Sequence, residues 1–465
     1  MKALCMVLIA SVCLGGCVSL APSYRQPVPP VASAWHDAGD TGPQTALVGW
    51  RSFFLDPRLR RVIERALTDN RDLRIAILGV EKSRAAYRVQ RAAQFPSIAT
   101  IASEVATRTP ASLAGTTAGT ASTSHADTFD VGFSAFELDM FGRVRSLKDE
   151  ALERYLGSEE TRRAAQLSLV ADVAQDWLAV AANSRLLALA QAMERSEEDT
   201  MSLVMRKQAL GAASGLDVAQ AQASFQAMRA EVATYTAQVA QACDALDLVV
   251  GAPVADADLP DASVDAVSAL DRLSAGVPST VLVRRPDVLA AEHVLKASHA
   301  DIGAARASFF PRITLTASAG SGSDQLSGLF KGGSGAWNLA SGISLPIFDA
   351  GTNRANLDAA KVQAKIDLAS YERTIQVAFR EVADALATRA TITQRLDAQQ
   401  ARVVAGRRSY DLALALYRQG RYSFLDTLTT RRTLYAAEQD QIATQLAAQA
   451  SLVTLYKALG GGWTE

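Results

Sequence analysis

The chain is written twice, and this repeat limits its possible folds more than any other feature. Phe95-Pro96 returns as Phe310-Pro311, 215 residues later, and Gly142 in Asp139-Met-Phe-Gly returns as Gly351 in Phe348-Asp-Ala-Gly, 209 residues later. Gly211 matches Gly420 and Gly251 matches Gly460, both again at 209. The change of spacing falls wholly between the Phe-Pro pair and the next landmark. One loop therefore carries an insertion or deletion, and two tandem copies of one structural unit are expected.

Proline placement shows what each copy contains. Pro22, Pro27, Pro29, Pro30 and Pro43 crowd the start, none lies between 111 and 252, and none follows 346. The early prolines mark an extended tether. Within the proline-free blocks, residues 144–210 hold one glycine, Gly157, and 352–419 hold one, Gly406. Either block as a single helix would reach roughly 100 Å at 1.5 Å per residue. Apolar residues recur at three and four: Leu167, Val170, Val173, Trp177 and Val180 in the first, and Ile375, Val377, Phe379, Val382 and Leu386 in the second. Such stripes are coiled-coil packing surfaces. Only 6 % of residues are aromatic and alanine is frequent throughout, which suits close helix–helix packing.

Between the Phe-Pro and glycine landmarks the period changes from 3.6 to 2. Ile313, Leu315, Ala317 and Ala319 alternate with Thr314, Thr316, Ser318 and Gly320. Trp337, Leu339, Ile343 and Leu345 alternate with Asn338, Ala340, Gly342 and Ser344. The spacing predicts strands over 312–321 and 336–345 around a Gly/Ser-rich loop. The first copy predicts strands over 97–106 and 129–138, with less clean alternation and a longer loop. Each unit is thus helix, β-hairpin, very long helix, tight turn, helix. About ten residues is the length a tilted strand needs to cross a bilayer. Four strands cannot close a barrel, because the smallest single-chain barrels have eight. An open edge is not tolerated in lipid. If the strands span a membrane, several copies of the chain must share one barrel; the strand count alone leaves two, three or four open.

The first residues form an export signal, 1–16: Met1-Lys2, an apolar run from Ala3 to Leu14, then Gly15-Gly16 ahead of Cys17. Small residues before a cysteine resemble the lipobox of bacterial lipoproteins, which implies cleavage before Cys17 and acylation of its sulfur. Val18 follows, with no aspartate of the kind that retains lipoproteins in the inner membrane, which favours the outer membrane. After the signal no run of 18 apolar residues occurs, so a helix spanning the bilayer is excluded. Cys243 is the one cysteine left for the mature fold, so no intrachain disulfide is expected. A net charge of −1 gives no field toward nucleic acid.

Nine segments, in order, then resemble a known family. They are Trp50-Arg-Ser-Phe-Phe-Leu-Asp-Pro57, Ala66-Leu-Thr-Asp-Asn-Arg-Asp-Leu73, Phe136-Glu-Leu-Asp-Met-Phe-Gly-Arg143, Gly211-Ala-Ala-Ser-Gly-Leu-Asp217 and Arg284-Arg-Pro-Asp-Val288. Phe309-Phe-Pro-Arg-Ile-Thr-Leu315, Pro346-Ile-Phe-Asp-Ala-Gly351, Tyr417-Arg-Gln-Gly-Arg-Tyr-Ser-Phe-Leu425 and Leu459-Gly-Gly-Gly-Trp463 complete the series. The chain resembles, nearly end to end, the TolC-like outer-membrane factors, most closely the NodT-type lipoprotein branch that serves RND pumps. The resemblance implies a mainly α fold with a small β part: a homotrimer whose strands form one outer-membrane barrel of twelve strands above a periplasmic α-helical barrel. It implies a passive efflux channel, docked to a periplasmic membrane-fusion adaptor and an inner-membrane RND-type transporter. The expected division is a signal, a lipid anchor and tether (17–49), a first repeat (50–253), an equatorial linker (254–285) and a second repeat (286–465).

The resemblance also places functional positions. The turns over 211–216 and 420–424 reverse the chain between long helices, and a glycine supplies the backbone freedom needed there. Family geometry sets both turns at the periplasmic tip, so Gly211, Ala212, Ala213, Ser214, Gly420, Arg421, Tyr422 and Ser423 are the expected adaptor contacts. Asp217 and Asp426 follow the turns, where they can cap helices. Ring-forming gate residues fall near the second turn: Tyr417, Asp426 and Arg432, with Thr429 where the family often has an acid. Arg285 and Asp287 read as a structural ion pair opening a helix. His293 and His299 are six apart, on nearly opposite helix faces, and are not expected to share a metal. No cofactor is expected, and no P-loop, Gly-x-Ser-x-Gly or catalytic carboxylate pair appears. The rival readings are a periplasmic adaptor, which would carry one helical hairpin within a Gly-rich β-domain, and a non-pore outer-membrane lipoprotein scaffold.

Overall fold

The computed structural model describes residues 19–32, 35, 49–110, 121–261 and 279–461. Cys17, the export signal and most of the linker fall outside the described residues. The first half runs α1 (Trp50–Phe53), α2 (Pro57–Asp69), α3 (Arg71–Ala92), β1 (Ala99–Thr109), β2 (Ser122–Leu138), α4 (Arg143–Ala209) and α5 (Gly215–Val250). The second runs α6 (Pro286–Ala307), β3 (Arg312–Ser323), β4 (Gly335–Ser344), α7 (Thr352–Arg418) and α8 (Phe424–Ala458). From α3 and from α6 onward the same unit appears twice, and α4 and α7 are each 67 residues long. No described helix is long and apolar enough to cross a membrane.

The compact units cut across this repeat. One gathers residues up to Val28, Val80–Ser158 and Ala290–Tyr371, and the other Pro29–Gly79, Glu159–Leu289 and Glu372–Glu465. Both draw on each copy, because elements of one copy bury their apolar sides against elements of the other. In the first unit the two hairpins join into one antiparallel sheet of order β1-β2-β3-β4. In the second, Phe53 stacks on Tyr456 with centroids 4.2 Å apart, and Trp177 is buried with its indole N–H donating to the Asp258 carbonyl at 3.0 Å. Full burial of each such side chain contributes about 1.5–3 kcal/mol. Cys243 packs at the margin of this core, and burial pushes its thiol up, away from reactivity.

The sheet explains why the first hairpin is harder to read. Phe129, Val131 and Phe133 of β2 stand opposite Ser321, Ala319 and Ala317 of β3. A bulge then shifts the register, and Phe136 and Leu138 stand opposite Leu315 and Ile313. Ala135, at φ 53°, absorbs the extra residue, and its N–H donates to Thr316 Oγ1 at 3.0 Å. The apolar positions change parity in sequence yet stay on one face. Trp337, Leu339 and Ile343 of β4 join that face opposite Ala319, Ala317 and Ile313. The strand expected at 129–138 begins earlier, at Ser122. Its polar head, Ser122–Asp127, pairs with Thr109–Glu104 of β1 and carries no apolar alternation to announce it.

The repeat extends to single hydrogen bonds. Asn70 Nδ2 donates to the Val249 carbonyl at 2.7 Å, and Arg285 Nη1 donates to the Ala458 carbonyl at 2.7 Å. These donors differ by 215 and the acceptors by 209, the two offsets seen in the sequence. Gly251 (φ 84°) and Gly460 (φ 91°) make the approach possible, since a Cβ on either would meet the backbone of Asn70 or the side chain of Arg285 at 3.1 Å.

Candidate functional site

At the turn after α4, Gly211 sits at φ 73°; its N–H donates to Gln208 O and that of Ala212 to Lys207 O, at 2.9 and 2.8 Å. Gly420, at φ 72°, does the same after α7: its N–H donates to Tyr417 O at 3.0 Å and that of Arg421 to Leu416 O at 2.9 Å. Both are Schellman closures, in which glycine takes the left-handed position at no Cβ cost. Ser214 then caps α5: its hydroxyl accepts from Asp217 N–H at 3.1 Å while Asp217 accepts back at 2.8 Å. Ser423 and Asp426 repeat the exchange at 3.1 and 2.6 Å. These reciprocal caps satisfy helix donors that would otherwise be orphaned. The first turn is shorter than the expected 211–216, because Gly215 and Leu216 already lie in α5.

The two turns share one apolar cluster in which Val204, Ala221, Phe424 and Leu428 are buried and Ala213 and Tyr417 are packed beside them. Tyr417 lies 5.7 Å from Phe424 between ring centroids, and Lys207 Nζ stands 4.3 Å from its ring. Tyr417 is therefore engaged within its own chain, Asp426 is committed to its cap, and Arg432 is exposed on α8. Of the eight turn residues Ala213 reaches the shared cluster, and among the described contacts none joins Tyr417, Asp426 and Arg432 to one another. Exposed beside the turns are Leu210, Leu216 and Leu425, at 83 %, 66 % and 54 %. Sequence reasoning passed over them, although Leu216 and Leu425 stand at the repeat offset.

A second omission lies next to Arg432. Arg431 is buried and reaches Glu197 of α4 at 3.3 Å and Thr200 Oγ1 at 3.0 Å, beside the Tyr410 ring of α7. Burial pushes the Glu197 carboxyl up, partly offset by Arg431. Arg285 also forms its expected pair, to Asp287 at 2.7 Å, and extends it to Glu381 at 2.8 Å.

At the opposite end of α4, Asp139 caps the helix by accepting from Val144 and Arg145 N–H at 3.1 and 2.8 Å. Asp349 caps α7 by accepting from Gly351 and Asn353 N–H at 3.0 and 2.9 Å. These caps are the physical content of the second pair of sequence landmarks. Residues 19–28, expected as a tether, lie against α6. Arg306 Nη1 donates to the Leu20 carbonyl at 2.9 Å, and Tyr24 Oη donates to Glu292 at 3.0 Å. A Cβ on Gly303 would lie 2.8 Å from that of Ala21, so glycine is what lets the segment lie flat. Burial and the Glu292 carboxylate push the Tyr24 phenol up. His293 pairs with Glu153 at 2.7 Å, whereas His299 meets Tyr24 edge-on at 5.7 Å, so the two imidazoles serve different contacts.

Two hairpins in one sheet with an exposed apolar face, each followed by a long capped helix and a glycine turn, define the class of outer-membrane duct proteins. The chain belongs to the outer membrane efflux protein family, whose model matches residues 62–252 and 277–461. It is 44 % identical over 473 residues to the solvent efflux pump outer membrane protein SrpC of Pseudomonas putida, covering 100 % of this chain and 99 % of that one. A crystal structure of a membrane protein from Pseudomonas aeruginosa matches at TM-score 0.90 and 40 % identity, over 96 % of this chain and 98 % of that one. The open state of the Neisseria gonorrhoeae MtrE outer membrane channel matches at TM-score 0.86 and 37 % identity, over 96 % and 98 %.

Proposed function

We propose that three copies of this chain close one barrel of twelve strands in the outer membrane and form a passive efflux channel. Small molecules would reach it from an inner-membrane RND-type transporter through a periplasmic membrane-fusion adaptor. The observation that carries this reading is the sheet: β1 and β4 are unpaired edges, and Trp337 and Ile343 are 79 % and 73 % exposed on one apolar face. In water such a surface would aggregate, and in lipid the edges would leave backbone groups without partners. Closure with neighbouring copies removes both costs. A periplasmic adaptor or a non-pore scaffold would leave them standing.

Acylation of Cys17 fits the docked segment. Leu20 is held at Arg306, and α6 ends at Ala307, just before β3 begins at Arg312. An acyl chain two residues before Ser19 would enter lipid where the apolar band of the sheet starts. At the other end, Gly211, Ala212, Ala213, Ser214, Gly420, Arg421, Tyr422 and Ser423, flanked by exposed leucines, would receive the adaptor's helical hairpins. Tyr417, Asp426 and Arg432 would constrict the tip, with Arg432 reaching the pore and Tyr417 and Asp426 holding the turn that positions it. No step of bond making is assigned, because the work of transport would come from the transporter. Purified protein in planar bilayers should conduct, and Cys17→Ala should abolish incorporation of labelled palmitate. A wild-type protein that never conducts would contradict the channel reading.

A further inference from the structure

Among the described residues, the polar face of the sheet carries one carboxylate that forms no ion pair or hydrogen bond with the rest of the fold. Asp130 of β2 stands opposite Ile101 of β1 and Gly320 of β3. Strand parity sets it with Thr128 and Ser318, on the face away from Phe129 and Val131. The glycine opposite gives an independent check: a Cβ on Gly320 would lie 2.7 Å from Asp130 Oδ1, so both residues project to the same side. Among the described residues, no lysine, arginine or histidine pairs with this carboxylate.

The other charges on this face are spent at the foot of the strands. Glu137 is held between Arg143 and Arg312, each at 2.6 Å. Its cross-strand partner is Thr314, and that of Asp130 is Gly320. That separation along β3 is about 20 Å, more than twice the Debye length of about 8 Å at physiological salt. The Asp130 charge therefore acts on ions at its own level without being cancelled from below.

We propose that Asp130 faces the lumen and makes the barrel favour cations, organic cations among the cargo included. This rests on the barrel reading above, because only in a closed barrel does the polar face bound a water column. Three copies would then set three carboxylates at one height. Across a wide aqueous pore the bias is modest, about two-fold in the cation-to-anion permeability ratio near 0.1 M salt. It should vanish near 1 M, where the Debye length is about 3 Å.

The test uses the full-length protein in planar bilayers under a KCl gradient. Asp130→Asn should lower the permeability ratio about two-fold at low salt, and Asp130→Lys should lower it further, both effects fading at high salt. A reversal potential unmoved by either substitution at low salt would overturn the proposal. In a Cys243→Ser background, a charged, membrane-impermeant thiol reagent should alter the conductance of Asp130→Cys and leave Val131→Cys unchanged. The reverse pattern would overturn the face assignment while sparing the barrel. A wild-type protein that forms no pore would overturn both.

Discussion

At their tips the two copies of the repeat are built alike: glycine at φ 73° or 72°, a Schellman closure, and a serine–aspartate exchange at the next helix start. Their hairpins differ. The second pairs without interruption, whereas the first carries the bulge at Ala135 and a β2 of 17 residues against 10 in β4. The connections 110–121 and 324–334 are nearly equal, so the extra length lies in the strand and not in the loop expected to carry it. Helix ends must satisfy specific backbone donors and acceptors, so few residue types serve and both copies keep them. A strand needs only the right face toward lipid, and a bulge restores that face after an insertion. Interior ion pairs diverge too. Glu197 and Arg431 meet across copies, but the repeat offset sets Gly406 and Gln222 in their counterpart positions.

The comparison can be broken most sharply at Asn70 and Arg285, which make equivalent bonds with unequal chemistry. Arg285→Ala removes a buried guanidinium that serves two carboxylates and a carbonyl. It should cost about 3 kcal/mol, at the low end for breaking a buried pair because the carboxylates keep some water. Asn70 Oδ1 also caps α3 by accepting from Leu73 N–H at 2.7 Å, so Asn70→Ala should cost about 1–2 kcal/mol, for that cap and the bond to Val249. Guanidinium unfolding followed by far-UV circular dichroism would rank them, and equal losses would contradict the assignment. At the tips the copies should behave as equals. Gly211→Ala and Gly420→Ala should each cost about 1–2 kcal/mol, the penalty of a Cβ in the left-handed region, with midpoints that coincide. Ser214→Ala and Ser423→Ala should each cost about 1 kcal/mol in the same assay.

The smallest effect is a pH dependence confined to the asymmetric pair. Glu197 has its folded pKa raised by burial, so the folded state binds its proton more readily than the unfolded chain. Wild type should therefore gain stability relative to Glu197→Gln as pH falls from neutrality toward the ordinary glutamate value. Paired unfolding curves across that range check the sign, and a wild type that loses stability relative to Glu197→Gln on acidification would refute it.

Much of this was legible in the sequence. The repeat offsets gave the unit, and the glycine landmarks proved to be helix-terminus positions whose chemistry is local. The start of β2 at Ser122 was not legible, because polar residues paired with polar residues leave no periodic trace. Arg431 was passed over for its neighbour Arg432, since sequence cannot say which of two adjacent arginines turns inward against Glu197. The tether's docking on α6 was hidden for the same reason: it depends on Ala21 meeting Gly303 and on Tyr24 meeting Glu292, 268 residues further along the chain.

The most direct measurement of the central claim is the native mass of the detergent-extracted protein. Closure of the sheet by neighbouring copies predicts a single particle of three chains that persists on dilution. A stable, folded monomer would contradict it, because its apolar face and both edges of its sheet would then stand without partners.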